Sequence, residues 1–375
     1  MGDNGSQHEP PKRVVVCGGG IIGVCTAYYL AKKGAKVILI ERSAIAGAAS
    51  GKAGAFLARY MCDGGPLSSL ARTSFDLHGS LAKELDGARS YGYQPFTTFT
   101  LVSNESDQPS KGSSLPSWID GPFKQGEITG TTETTAQIHP RLFTCALLAK
   151  AVKEYGVEVV IAKVESVAVE DQKVAVKLDR GGVIGGDAVV LALGPWTSKL
   201  PGISSKFRVY GKKANSIVLE SKDSDIITTD VPVSTYYPEI GFPNFFLRPT
   251  GEVYICGPFP VDAEVPDSPE LVFPDPEVMQ MLKRAAGIVS SHLAENSVTV
   301  KNEQAGLLPA TDDELPIMGE IPGMKNCYVS TGHCYWGILF APVSGVAMAE
   351  LVIDGQASIV DLSCFSPNRF AGKDK

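Results

Sequence analysis

The sequence has no C-x-x-C pair and no histidine placed at metal-ligand spacing from a cysteine, although cysteines stand at positions 17, 25, 62, 145, 256, 327, 334 and 364. That excludes the common zinc frameworks, and no metal is expected. Scattered so irregularly, with no secretory signal in the polar stretch Met1 to Pro11, the cysteines fit small buried hydrophobes in a reducing compartment. A cytoplasmic chain whose mature form starts here is expected. Basic stripes are lacking too: 34 Lys and Arg stand against 41 Asp and Glu, a balance that disfavours nucleic acid. No repeat is visible. The longest apolar stretch, Trp336 to Ile353, contains Pro342, Ser344 and Glu350 and reads as a buried helix without stable membrane insertion. Met1-Gly2-Asp3-Asn4-Gly5-Ser6 formally matches an acylation signal, but an acid follows Gly2 and no modification is expected. Nothing reads as an obligate protein interface, so the expected partner is a small-molecule substrate.

What is present points to an α/β protein. Arg13 to Cys17 reads as a buried strand, Ile21 to Lys33 as a helix ended by Gly34, and Ala35 to Ile40 as a second strand, together a βαβ unit. Arg141 to Tyr155 reads as a helix, followed by strand-like runs at Val157 to Ala168, Lys173 to Leu178 and Asp187 to Leu193. From Phe207 to Val300 short strands with Pro and Gly punctuation take over, including a hairpin over Phe245 to Ile255. One helix interrupts them at Pro276 to Glu295, with Val278, Leu282, Ala285, Val289 and Leu293 as its buried stripe. Cys327 to Ser330 and Gly337 to Ile353 return to strand and helix. Ser103 to Ser117, rich in Ser, Pro and charge, is expected to be a mobile loop. The chain's length and apolar content suit two domains. The expected division is a discontinuous cofactor domain from 12–92, 140–206 and 301–368, a mostly antiparallel α+β substrate domain from 93–139 and 207–300, and flexible termini at 1–11 and 369–375.

Gly18-Gly19-Gly20-Ile21-Ile22-Gly23 carries the spacing G-x-G-x-x-G between a strand and a helix. Gly18 permits a tight turn, Gly20 lets backbone approach a pyrophosphate, and Gly23 lets helix and strand pack closely. Glu41 closes the second strand, where a carboxylate can accept hydrogen bonds from ribose hydroxyls. Such an acid disfavours a 2′-phosphate and so removes NADP, leaving NAD and FAD. The run Gly47-Ala48-Ala49-Ser50-Gly51-Lys52-Ala53-Gly54 suits close passage of backbone beside a second phosphate and a flat ring, or is a plain flexible loop.

With these pieces the chain resembles the D-amino-acid oxidase superfamily of FAD-dependent oxidoreductases, which includes glycine oxidase and sarcosine oxidase. The resemblance rests on Val14 to Gly23, Glu41-Arg42, Ala49 to Gly54, Val189 to Trp196, Leu315-Pro316-Ile317-Met318-Gly319, Thr331-Gly332-His333 and Trp336-Gly337-Ile338. It implies a Rossmann-type FAD-binding domain interleaved with the substrate domain, and hydride transfer from a small amine or amino-acid-like substrate to flavin N5. The cofactor site is expected to draw on Gly18, Gly20, Ile21, Ile22, Gly23, Glu41, Arg42, Ser50, Gly51, Lys52, Val164, Gly194, Trp196, Gly332, Gly337, Ile338 and Leu339. A helix starting near Gly337 would aim its amides at the flavin edge that becomes negative on reduction. Tyr335 and Trp336 could wall the ring or simply pack at the helix entrance.

Departures from the family narrow the substrate reading. Leu308 stands where glycine oxidases have a carboxylate-clamping arginine, Gly306 where sarcosine-oxidase-like members tether flavin through cysteine, and Leu339 near the place of their lysine. FAD is therefore expected to be non-covalent. Lys52 is expected beside the flavin or its phosphates, or as a solvated loop lysine. Arg248 is expected either to replace the missing anion clamp or to pair with Glu252. His333 is a catalytic candidate that could equally orient its loop. The missing clamp keeps open a flavin-stabilised binding or trafficking protein with little catalysis; a nicotinamide dehydrogenase is the remaining alternative.

Overall fold

The computed structural model describes residues 12–103, 115–223, 227, 233–236, 243–248 and 250–371. The acylation match and most of the 103–117 loop lie outside the described residues. A six-stranded sheet forms the centre of the cofactor part, in the order Ile317–Glu320, Cys327–Thr331, Ala188–Leu191, Arg13–Cys17, Lys36–Glu41, Glu158–Ile161. All neighbours are parallel except the Ile317–Glu320 edge, which runs antiparallel to Cys327–Thr331. Val14, Val15, Val16 and Cys17 are fully buried, because this strand has sheet on both edges and helix or sheet on both faces.

The second layer is an eight-stranded sheet. Its strand Tyr210–Ser221 pairs along one edge with Val298–Ala310 and along the other with Val261–Ala263 and Glu252–Cys256. Asn244–Leu247, Val233–Tyr236, Thr98–Ser103 and Phe123–Gly130 continue it, and only the contact between Val233–Tyr236 and Thr98–Ser103 is parallel. Strand alternation divides the faces. Ile217, Leu219, Phe245, Leu247, Val253 and Ile255 turn to the helix Pro276–Val289 and form its core. Ser216, Val218, Phe246 and Tyr254 take the other face, where Tyr254 Oη donates to the Lys52 carbonyl at 3.0 Å. The alternation thereby turns one face toward the small-residue segment 49–54.

Several expectations shift. The helix expected over Pro276 to Glu295 ends at Val289, where Ser290 leaves helical geometry, and Met279 rather than Val278 is the fully buried residue of its first turn. The run 157–168 is two strands, Glu158–Ile161 and Val164–Glu170, which join different sheets across Ala162 and Lys163. Val298–Ala310 crosses the boundary drawn at 301 and pairs wholly with the large sheet. Cys145 and Cys364 are exposed rather than buried. The 17-residue helix Ser68–Glu84 was not anticipated, although Leu70, Ala71, Ser74, Phe75, His78 and Leu81 bury one stripe.

That helix repairs its neighbour. With the short turn before it, Gly337–Asp354 forms the stretch Cys334–Asp354, long and apolar enough to cross a membrane by composition, but most of that stretch is buried, with Ile21–Lys32 and Ser68–Glu84 packed against the helix. A Cβ at Gly345 would lie 2.7 Å from the Cys25 carbonyl carbon, so glycine there sets the closeness of two helices. Pro342 inside the helix cannot donate to Ile338 O. Buried His78 Nε2 sits 3.0 Å from that oxygen and 3.2 Å from Leu339 O, while Val343 N donates to Ser74 Oγ at 3.2 Å. Facing two acceptors, Nε2 carries the proton, and burial lowers the His78 pKa to about 4.

Candidate functional site

The three glycines of the motif act for three different reasons. Gly18 has φ +115°, and a Cβ there would meet Ala192 O at 2.2 Å; a Cβ on Gly23 would meet Gly18 O at 1.9 Å. Both serve backbone packing. At Gly20 a Cβ would meet only Ser50 Oγ, at 3.2 Å, so this glycine keeps open the approach to the start of the helix Ile21–Lys32. Ser50 Oγ accepts from Ile21 N at 2.9 Å. The Glu41 carboxylate accepts from Gly19 N at 2.7 Å and from Ser43 N at 3.0 Å, so the acid is held against the turn it was expected to serve.

These residues open on a cavity of about 490 Å³. Gly18, Gly20, Ile21, Ile22, Glu41, Arg42, Ser50, Val164, Gly194, Trp196, His333, Gly337 and Ile338 all line it, bringing together most of the expected cofactor residues. Trp196 is fixed by Nε1 donating to Pro266 O at 2.7 Å, and Thr331 Oγ1 ties the strand end to Gly194 O at 3.0 Å. Sequence reasoning missed Ser330, Cys334, Lys163 and Lys199, and also the apolar wall Leu307, Leu308 and Pro309 from the large sheet. The wall segment was noted only for what it lacked, and the strand register was needed to see which way it faces.

Five expected cofactor residues do not line the cavity. Gly23 is consumed by the helix–strand contact. Gly51 packs on Ala46, whose carbonyl oxygen a Cβ would meet at 2.1 Å, and Gly332, at φ +79°, packs on Thr311. Leu339 is core, 1 % exposed. Lys52 turns its ammonium to Ala305 O at 2.8 Å, bridging the small-residue segment to the large sheet; burial lowers its pKa, with nearby Glu270 opposing. Arg248 is also off the cavity wall. It lies at the hairpin end of the sheet, 5.1 Å over the Tyr254 ring and 3.9 Å from Glu252, with Nε and Nη2 unpartnered among the described residues.

His333 is fully buried, its Nε2 lies 3.0 Å from Ser344 Oγ, and burial lowers its pKa to about 3. It is therefore neutral at ordinary pH and unsuited to carry a charge. Its Nδ1 has no partner among the described residues, and neither does Ser330 Oγ; both belong to residues on the cavity wall. Two buried polar atoms without partners, on a wall that also holds two helix starts, fit a ligand with hydrogen-bonding edges and negative charge. A flavin dinucleotide has both. Gly337 and Ile338 begin the helix Gly337–Asp354, and its positive end could face a developing anion. Among the described residues no group of three His, Cys, Asp or Glu could hold a metal ion.

Comparison with known proteins agrees with this geometry. The chain is 28 % identical to the Schizosaccharomyces pombe protein C1F5.03c, an oxidoreductase by name with no substrate in that name, over 95 % of this chain and 98 % of the relative. It is 25 % identical to the glycine oxidase of Geobacillus kaustophilus over 96 % and 97 % of the two chains. The crystal structure of that glycine oxidase superposes with a TM-score of 0.79 at 20 % identity, covering 96 % of this chain and 99 % of the other. The sequence model of the FAD dependent oxidoreductase family, DAO, matches residues 13–351, and the chain therefore belongs to that family of FAD-dependent oxidoreductases.

Proposed function

We propose that this oxidoreductase oxidises the C–N bond of a small amine or amino-acid-like compound at the end of the cavity walled by the large sheet. The observation that carries this reading is the cavity's reach: it runs from the glycine loop to Leu307, Leu308 and Pro309, so a dinucleotide lying along it would end against the sheet. Bound non-covalently, FAD would supply a hydride acceptor at N5, leaving the substrate C–N bond as an imine for water to hydrolyse.

The chain's own contribution is binding and orientation. Glu41 would take the ribose hydroxyls, Gly20 with the first turn at Ile21 and Ile22 the phosphates, and Arg42 and Val164 the neighbouring wall. Ser330 Oγ and His333 Nδ1 would meet the ring's polar edge, with the helix start at Gly337 stabilising negative charge there. His333 would position rather than exchange a proton, since its pKa of about 3 leaves it a poor base. Lys52 would hold the segment 49–54 to the sheet rather than touch substrate.

The test is anaerobic mixing of the yellow holoprotein with a panel of primary, secondary and amino-acid amines, followed by flavin absorbance. Bleaching by at least one amine is expected, with acid precipitation releasing all the flavin. A panel that leaves the flavin oxidised overturns the reaction assignment, and colour kept in the washed pellet overturns the non-covalent one.

A further inference from the structure

On the large sheet Lys212 is not itself one of the residues lining the cavity, but its partner across the ladder is. Lys212 stands opposite Leu308 in the antiparallel ladder, and directly opposed residues project to the same face. Leu308 lines the cavity. Gly306, two residues earlier on that face, looks onto the cofactor segment, since a Cβ there would lie 3.4 Å from Ala49 Cα. The Lys212 side chain is only 15 % exposed, and its ammonium is 3.3 Å from Glu314 Oε1. Its charge also reaches Tyr210, Tyr335 and Cys334, the last two on the cavity wall.

The pairing is lopsided. Glu314 is 71 % exposed and reaches from the solvent side to a lysine that is mostly buried. Such a carboxylate costs side-chain entropy to hold and is easily exchanged. An anionic group arriving from the cavity would meet the same ammonium with less exposure to water, beside the uncharged wall Leu307 to Pro309. The cations that line the wall do not compete for it: Arg42 and Lys163 adjoin Glu41 and Val164, and Lys199 is exposed.

We propose that Lys212 is the specificity-determining residue of this site, holding a carboxylate of the substrate, and that Glu314 fills that place until the substrate arrives. The assignment rests on the reading of the cavity as a flavin site that oxidises amines. A lysine is a compact point charge, so it fixes the position of the carboxylate without imposing the planar orientation an arginine would.

The experiment uses holoprotein and equilibrium calorimetry with a carboxylate series from acetate to benzoate, each against its neutral amide, so that turnover is not required. Wild type should bind at least one carboxylate more tightly than its amide. Lys212→Met should lose about tenfold or more of that affinity with amide binding unchanged, and Lys212→Arg should recover part of it. Glu314→Gln should tighten carboxylate binding at least twofold by removing the internal competitor, and it decides the matter if Lys212→Met fails to fold. Equal carboxylate affinity in wild type and Lys212→Met, weaker binding in Glu314→Gln, or no carboxylate binding at all would overturn the proposal. If no amine reduces the flavin while Lys212-dependent binding persists, the reaction assignment falls and the anchor stands. If amines reduce it while carboxylates ignore Lys212, the reverse holds.

Discussion

At the residue scale, Glu41 has two duties in one side chain. Its oxygens accept the amides of Gly19 and Ser43, and the same carboxylate lines the cavity. Glu41→Ala should therefore weaken FAD binding by roughly 1.5–3 kcal/mol for each charge-assisted hydrogen bond lost, less what water replaces. Glu41→Gln should keep part of the affinity, because it can still accept hydrogen bonds. Fluorescence titration of flavin against apoprotein measures both, and unchanged affinity in the alanine variant would remove Glu41 from the cofactor site. The glycines show how far a motif speaks for itself. Its spacing suggested three roles, and the structure gives Gly18 and Gly23 to backbone packing and leaves Gly20 facing the cavity.

At the scale of elements, the helix Gly337–Asp354 holds a proline yet stays continuous because its neighbour supplies the missing donor. Replacing His78 with Leu leaves Ile338 O without that donor, next to a residue on the cavity wall. A cost of about 1–3 kcal/mol is expected. Because the cavity loses its firm end, the flavin should also dissociate faster. Chemical denaturation and flavin release rates read the two effects; a variant as stable as wild type would mean the carbonyl finds another partner. None of this was legible beforehand. Arg13–Cys17 was read to the residue because burial on both faces leaves a continuous apolar run, and Lys173–Leu178 because its buried Val174, Val176 and Leu178 alternate with more exposed neighbours. The helix Ser68–Glu84 carried an equally plain stripe and was passed over. What sequence could not supply was register: Lys212 reads as one of two adjacent lysines until the ladder sets it opposite Leu308. Arg248, expected on the face opposite Leu247, follows the strand Asn244–Leu247 and does not line the cavity, because alternation gives a face but no position along the strand.

At the scale of the whole molecule, two fully buried histidines couple stability to pH. His78 and His333 have folded pKa values of about 4 and about 3, both lowered by burial from an ordinary 6.5. The unfolded chain therefore binds more protons as pH falls below that ordinary value. The stabilising contribution is complete above about pH 6.5 and is lost progressively toward pH 4, at about 1.4 kcal/mol per pH unit for each histidine once the unfolded form is protonated. Urea midpoints at fixed free FAD should drop between about pH 7.5 and pH 5, and equal midpoints would contradict the assignment. The order of the sheet carries a further consequence. Its strands Arg13–Cys17 and Ala188–Leu191 are separated by most of the first half of the chain, and the strand completing their far side, Cys327–Thr331, comes near the end. Ser330, His333 and the helix start at Gly337 follow from it. A chain still emerging from the ribosome has its glycine loop early but has no opposite wall for a ligand to rest against, so the direction of synthesis puts capture of the cofactor after the strand Cys327–Thr331 has emerged.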